Sequence, residues 1–582
     1  MCSCVCNGAS IHSSGPVRNG VASREGNSIM AMMTGGEALM QLLHNEGVEY
    51  IFGIPGATEV LFMDALEDHP EIKYILGLHE VVCVGMAEGY TRASGKVGVV
   101  NLHTGPGLAA ATPMLFNARL NRVPLLVTAG QQDTRLLMQE PALAGDLVKI
   151  ASPFTKWSTE VFHAADIPLA IQRALKVAAH PPAGPVFVSL PQDVLDQEMD
   201  FNYIPRGQSF TKVRPDQEAV NRATELLITA KSPAIIVGSG VAQSGALAET
   251  VALAESIGAP VYDPWMTDVN FPVDHPHYLG DLNLAIPETR EILKSVDVLV
   301  AIGVQLFSQP FYFSEAFLTP NTKVIQIEYD PWEIGKNIPV AVGIEGDIKR
   351  SLAELNDALQ KNMPAEAREA AKTRSRRIAR EKEESVEAFL EKARRERDHV
   401  PIAVSRLMQE LRDSLKPGTL VVDECWSCSS ALRRSIGLSE PKSFLRPAGG
   451  SIGWGMSGAL GAKLASPDRP VVAVIGDGSA MWSIQSLWTA AHYDIPVTYV
   501  ICANASYRQV KLMKTLLMGE KGKGRYLGMD LDKPRIDFWK LAQAMGVDGQ
   551  NVERPEQLGE ALRWALELGK PAVVEVCLEG TL

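Results

Sequence analysis

Apolar and polar positions along the chain from about Gly35 switch repeatedly between helical spacing and short continuous runs. "GEALMQLLHNEGV" is an amphipathic helix, "YIFGIPG" a strand and turn, "KYILGL" a strand, and "VVCVGMAEGYTRASG" a helix stopped by glycine. "VGVVNLHTGPG" and "VPLLVTAGQQ" follow as strands with turns at their carboxyl ends. The same grammar returns twice. "SPAIIVGSGVAQSGALAETVALAESIGAPVYD", "VDVLVAIGVQL" and "TKVIQIEYD" make a second block; "PGTLVVDECWSC", "RPVVAVIGDGS" and "IPVTYVICANA" make a third. Strand–turn–helix in three blocks predicts three α/β domains, each a doubly wound parallel sheet with helices on both faces. The expected boundaries are 33–200, 217–365 and 400–582, with a charged linker helix over 366–399 whose charges read as a solvated face. No short-period repeat is present, and the first and third blocks are candidates for distant copies of one fold.

Length agrees, since 582 residues exceed one core and suit three domains of ordinary size. A net charge of −12 argues against nucleic acid as the main partner. No apolar run approaches the roughly 20 residues needed to span a bilayer. The eight cysteines, three of them crowded at Cys2, Cys4 and Cys6, do not make a disulfide framework for a chain this size, so a reducing, cytoplasmic setting is expected. Residues 1–32 are rich in Ser, Gly and Asn and lack the apolar stretch of a secretory signal; Arg18 and Arg24 against Glu25 leave a weak organellar transit segment as an alternative, and a disordered extension is expected there.

"VIGDGSAMWSIQSLWTAAHYDIPVTYVICANAS" concentrates the candidate chemistry. Its Gly-Asp-Gly ends a strand and precedes a helix, where open α/β sheets bind phosphorylated ligands. Gly476 and Gly478 allow close backbone approach, yet the Asp477 carboxylate would repel a diphosphate unless a cation lay between them. Magnesium accepts hard oxygen ligands and bridges phosphates. Asp477, the Asn504 side chain and the Ser506 carbonyl are the expected ligands.

Gly-Asp-Gly followed by Asn beyond a helix and strand resembles the thiamine diphosphate-dependent enzymes. The resemblance runs from about 35 to 580 and is closest to the benzoylformate decarboxylase family, through "GDGSAMWSIQSLWTAAHYDIP", "VNLHTGPG", "LLVTAGQQDTR", "KWS" and "AGGSIGWGM". It implies a first domain for the cofactor's pyrimidine, a third for its diphosphate, and a central domain related to dinucleotide-binding folds. Ser427, Ser479 and Tyr507 match the family's diphosphate contacts. Glu80 matches the glutamate that hydrogen-bonds the pyrimidine and helps its amine act as a base. Gly450 matches the residue whose carbonyl meets that amine, and Ile452 the bulky residue that bends the cofactor. His103, in a glycine-rich turn at a strand's end, matches an active-site histidine suited to proton transfer. The implied reaction is non-oxidative decarboxylation of an aromatic or branched 2-oxo acid to an aldehyde and carbon dioxide.

The substrate-handling positions depart from that family. Ala57 stands where it has a serine that grips the substrate carboxylate, Pro310 lies near the place of its second histidine, and Trp426 replaces a small hydroxyl residue. These changes keep open an alternative, an acetolactate synthase-like carboligase that joins the enamine to a second carbonyl compound. Such synthases often bind flavin in the central domain and carry Phe-Gln where this chain has Ala142 and Leu143, so FAD is possible but not favoured. A binding protein that has lost catalysis is a third reading, opposed by Glu80, His103, Asp477 and Asn504. "CWSC" invites a redox reading through Cys425 and Cys428, but it lies in the segment that supplies Ser427. Cys2, Cys4 and Cys6 with His12 are spaced more tightly than usual zinc ligands. The family's geometry further implies a homodimer or homotetramer with active sites between subunits.

Overall fold

A computed structural model describes residues 31–580 except 208–209, 265–266, 309–311 and 439. Three six-stranded sheets organise it, and every strand pairing within them is parallel. In the first sheet the strands lie side by side as Lys73–Leu76, Tyr50–Gly53, Gly98–Leu102, Leu125–Gln131, Val186–Pro191 and Ser158–Glu160. Numbered along the chain, that order is 2-1-3-4-6-5. In the third sheet it is Phe444–Leu445, Leu420–Glu424, Val471–Gly476, Thr498–Ala503, Ala572–Cys577 and Asp548–Val552, again 2-1-3-4-6-5. The central sheet runs Tyr278–Leu282, Val261–Pro264, Pro233–Val237, Val298–Ile302, Lys323–Glu328 and Val342–Glu345, the 3-2-1-4-5-6 order of dinucleotide-binding folds. A short antiparallel pair, Ala31–Thr34 with Glu198–Phe201, closes the first domain.

Strands such as "VVAVIG" and "TYVICA" are continuous apolar runs because both faces of a parallel sheet are covered. On one face of the third sheet, Val422, Ala473, Ile475 and Ile501 share a core with Val82, Met86 and Leu115 of the first domain. On the other, Val421, Val472, Val474 and Val500 share a core with the central domain. Helices Glu80–Ser94 and Trp454–Ala465 make the junction between first and third domains through glycines. A Cβ on Gly89 would stand 2.0 Å from the Gly458 carbonyl oxygen, and one on Gly461 1.8 Å from that of Met86. The two backbones therefore touch directly, which only glycine allows.

The charged helix spans Ala365–Arg395 and is solvated over most of its surface. Ala371, Ile378 and Ala393 are buried, Arg374 donates to the carbonyls of Ile257 and Gly258, and Lys382 donates to that of Val273. These few anchors hold an otherwise charged and exposed helix against the central domain.

Candidate active site

The first domain gathers its chemistry where strands 1, 2 and 3 end. Glu80 opens helix Glu80–Ser94, capped by His79, whose Nδ1 accepts from the Val81 N–H at 3.1 Å. His79 is thus spent on the helix end. A Cβ on Gly107 would lie 3.0 Å from Glu80 Oε1 and 3.5 Å from the His103 Cβ, so Gly107 is the notch that seats both residues. His103 follows strand Gly98–Leu102, and its Nδ1 is 2.7 Å from Glu59 Oε2. Glu59 is only 1% exposed, and its Oε1 accepts from Thr58 Oγ1 at 2.7 Å and from the Gly130 N–H at 3.0 Å. The bond to Glu59 places the Nδ1 proton and aims the ring, leaving Nε2 as its other exchange position. Gly56 makes room, since a Cβ there would stand 2.0 Å from His103 Nδ1. Exposed Ala57 lies in the same turn and its carbonyl accepts from Gln192 Nε2 at 2.9 Å.

In the third domain, Asp477 directly follows strand Val471–Gly476 and is 4% exposed. Its Oδ1 accepts from the Gly478 N–H at 2.8 Å and its Oδ2 from the Ala505 N–H at 2.6 Å. Burial pushes its pKa up to about 6 against the opposing pull of these backbone donors. Asn504 is 9% exposed, and its buried Oδ1 meets no hydrogen-bond donor. A buried acceptor without a donor beside a costly buried carboxylate is what a hard cation would satisfy, so the residues present fit magnesium. Ala505 takes φ +51°, a left-handed turn that separates Asn504 from buried Ser506. Gly478 cannot be larger, because a Cβ would reach 2.6 Å from the Tyr507 ring. Ser479 is buried and Ser427 half-buried at the neighbouring strand end.

Gly450 has φ +79° and Gly453 φ +100°, which fold the loop carrying half-buried Ile452 before helix Trp454–Ala465. Two residues unmarked by the sequence reading hold that loop. Glu424 accepts from the backbone N–H groups of Gly453 at 2.9 Å, Trp454 at 3.2 Å and Gly455 at 2.8 Å, and burial pushes its pKa up to about 8. Asn117 of the first domain donates to the Ser451 carbonyl at 2.8 Å and accepts from the Ser451 N–H at 3.2 Å. Glu424 and Glu59 share one faint signal, a carboxylate at or just beyond the end of an apolar strand. Trp426 is half-buried under the Arg446 guanidinium, 5.2 Å from its ring. Pro310 lies outside the described residues, as do Cys2, Cys4, Cys6 and His12.

The candidates thus form two groups in one chain. Glu80 and His103 meet at Gly107, and Asp477, Asn504 and Tyr507 meet around Gly478. Among the described residues no hydrogen bond or ion pair joins one group to the other. A separate cavity of about 310 Å³ opens at the carboxyl ends of strands Pro233–Val237 and Val298–Ile302, lined by Gly238, Ser239, Gly303 and Gln305, with Asn121 and Gly449 from the flanking domains. It lies at the switch point of the central sheet.

A chain with two such sheets, a carboxylate at the switch point of one and a histidine at that of the other, belongs to the thiamine pyrophosphate enzyme family. Family models match the N-terminal thiamine pyrophosphate binding domain over 33–149, the central domain over 220–355 and the C-terminal thiamine pyrophosphate binding domain over 427–576. Benzoylformate decarboxylase of Pseudomonas aeruginosa is 31% identical over 94% of this chain and 99% of that protein. A probable acetolactate synthase large subunit of Methanocaldococcus jannaschii is 30% identical over 94% of this chain and 92% of that protein. The thiamine diphosphate-dependent 4-hydroxybenzoylformate decarboxylase of Rhodococcus jostii superposes with a TM-score of 0.82 at 29% identity, covering 94% of this chain and all of that one. The relatives thus divide between decarboxylases and synthases. No helix among the described residues is long and apolar enough to cross a membrane.

Proposed function

We propose that this thiamine pyrophosphate enzyme decarboxylates a 2-oxo acid with an aromatic or branched side chain, without oxidation, to an aldehyde and carbon dioxide. The observation that carries the reading is His103 held by buried Glu59 beside Glu80, because aldehyde formation needs a proton delivered where carbon dioxide has left. Asp477, the Asn504 amide oxygen and the Ser506 carbonyl would hold magnesium; Ser427, Ser479 and Tyr507 would hold the diphosphate. Glu80, the Gly450 carbonyl and Ile452 would seat the pyrimidine and bend the cofactor. When bound, thiamine diphosphate would supply a carbanion nucleophile and a sink for the electrons released with carbon dioxide. His103 Nε2 hands a proton to the product carbon and regains one from water, while Glu59 keeps Nδ1 protonated and the ring in place. Ala57 and Trp426 would face the substrate.

The separation of the Glu80 and Asp477 groups within one chain supports a homodimer, or a pair of dimers, in which each site takes Glu80 from one copy and Asp477 from the other. The test is release of carbon dioxide and aldehyde from benzoylformate, phenylpyruvate, branched 2-oxo acids and pyruvate, with thiamine diphosphate and magnesium present or withheld. Cofactor-dependent carbon dioxide with equimolar aldehyde upholds the proposal. Carbon dioxide accompanied by a 2-hydroxy ketone or acetolactate overturns it in favour of carboligation. That second reading has one observation in its favour, the switch-point cavity of the central domain, where the flavin of a synthase would bind. Release of a yellow chromophore on denaturation would support it.

A further inference from the structure

Cys425, Cys428 and Cys502 are buried, are in no disulfide, and bring their three Sγ atoms within 4.8 Å of one another. The sheet explains why. Glu424 pairs with Ile475, so Cys425 falls opposite Gly476, and Gly476 pairs with Cys502. The three positions form a row across adjacent strands, and the middle one has no side chain. A Cβ on Gly476 would find nothing nearer than the Glu424 carbonyl oxygen at 3.7 Å and the Cys425 Cα at 4.0 Å. The space above Gly476 is therefore left open by side chains, with Cys425 and Cys502 on its two sides and Cys428 entering from the turn into helix Ser429–Ser435.

We propose that these three sulfurs form a binding site for a thiophilic cation, copper(I), lying beneath the Gly-Asp-Gly turn and separate from the proposed magnesium site. Three atoms no more than 4.8 Å apart share a centre no more than about 2.8 Å from each, and a metal–thiolate bond is about 2.3 Å long, so inward shifts of about half an ångström complete the site. Among the described residues no histidine or carboxylate joins the group. A closed trio of thiolates suits copper(I), whereas structural zinc takes four ligands and magnesium takes oxygen. The three thiol protons pass to solvent as the sulfurs take the metal. Cys425 lies two residues before Ser427, Cys502 two before Asn504, and Gly476 next to Asp477, so a bound ion would tie together the three strand ends that carry the proposed cofactor contacts.

The test uses the full chain carrying Cys2→Ser, Cys4→Ser and Cys6→Ser, so that the amino-terminal thiols do not compete. It is titrated anaerobically with copper(I) acetonitrile complex in the presence of bathocuproine disulfonate. The expected result is one copper withdrawn from the chelator per chain, with sulfur as its only neighbour, three atoms at about 2.3 Å by X-ray absorption. Adding Cys502→Ala, or Cys428→Ala if the first variant does not melt cooperatively, weakens uptake at least tenfold. Copper that stays with the chelator overturns the proposal. So does copper ringed by nitrogen or oxygen, or uptake unchanged by Cys502→Ala. The X-ray absorption result stands whether or not either variant folds.

Discussion

The first and third domains share one strand order and differ in what they place at the same strand ends. After strand 3 the first domain has His103 and the third has Asp477. The segment after strand 1 carries Ala57 and Glu59 in one domain and Trp426 and Ser427 in the other. The helix after strand 2 begins with Glu80 in the first domain; in the third it is preceded by Gly450 and Ile452. These two helices are the pair that pack glycine to glycine. One chassis therefore presents a histidine with glutamates at one set of strand ends and an aspartate with glycines at the other, and the difference lies almost wholly in the first residues past each strand. Function here is a property of strand ends, not of sheets.

The sharpest break in this comparison is at strand 3 of the third sheet. Asp477→Ala removes the central acceptor of the proposed magnesium site. Outer partners of metal ligands are worth about 10–100-fold in affinity, and a direct ligand exceeds that. The expected outcome is no measurable turnover and no rise in Tm on adding thiamine diphosphate and magnesium, with an unchanged circular dichroism spectrum. At the matching position of the first sheet, His103→Ala is expected to lower kcat by about 10²–10⁴-fold. It leaves the cofactor-induced Tm shift intact. Loss of that shift in His103→Ala would place His103 in cofactor binding and erase the division between the two ends.

The junction between the domains responds to bulk alone. Gly461→Ala drives a methyl group against the Met86 carbonyl and is expected to destabilise the protein by about 1–3 kcal/mol, measured by denaturant titration. An alanine at Gly418, where nothing lies within 4 Å but φ is +75°, tests strain without contact and is expected to cost about 1 kcal/mol. Equal losses at the two sites would mean that the close helix approach is not under compression.

The Asp477 end carries its own pH response. Burial raises the folded-state pKa of Asp477 to about 6 in the cofactor-free protein. The group's contribution to stability is therefore fully present below the unfolded value near 4 and is lost as pH rises through 6. A cation reverses that loss by neutralising the ionised form. Differential scanning fluorimetry is expected to show the magnesium-dependent Tm shift at full size above pH 7. Magnesium affinity then falls by up to about tenfold per pH unit below 6. A shift of constant size from pH 5 to 8 would remove Asp477 from the metal site.

How much of this was legible in the sequence follows from how far apart the partners sit. Asp477 and Asn504 could be read together because one helix and one strand separate them, and the glycines beside Asp477 have a backbone reason to be there. Glu59 lies 44 residues from His103 and Glu424 lies 29 from Gly453, and apart from a place near the end of an apolar strand nothing local tells either from a surface acid. The three-sulfur group escaped for the same reason: "CWSC" shows two thiols, and the third arrives two strands away across Gly476. The charged helix hides its few anchors, Ala371 and Ile378, because they are swamped by charge. Periodicity reports which face is apolar, and only the folded chain shows which strand ends meet.

The smallest effect tests the finest part of the comparison, the hydrogen bonds behind His103. Thr58 Oγ1 donates to Glu59 Oε1 and stands 3.3 Å from His103 Nδ1, while the Gly130 N–H holds the same carboxylate oxygen independently. Thr58→Val keeps the shape and deletes the hydroxyl. One neutral-to-charged hydrogen bond among three is lost, worth about 1–2 kcal/mol, so kcat is expected to fall by about 5–30-fold. Substrate KM and cofactor affinity stay fixed. Glu59→Gln is expected to cost more, because it removes the charged acceptor for the Nδ1 proton and puts a donor near either His103 or Gly130. The ranking His103→Ala, then Glu59→Gln, then Thr58→Val would establish a relay in which each residue acts through the next. If Thr58→Val matched His103→Ala, the hydroxyl itself would be the group that sets the ring, and Glu59 would be no more than its neighbour.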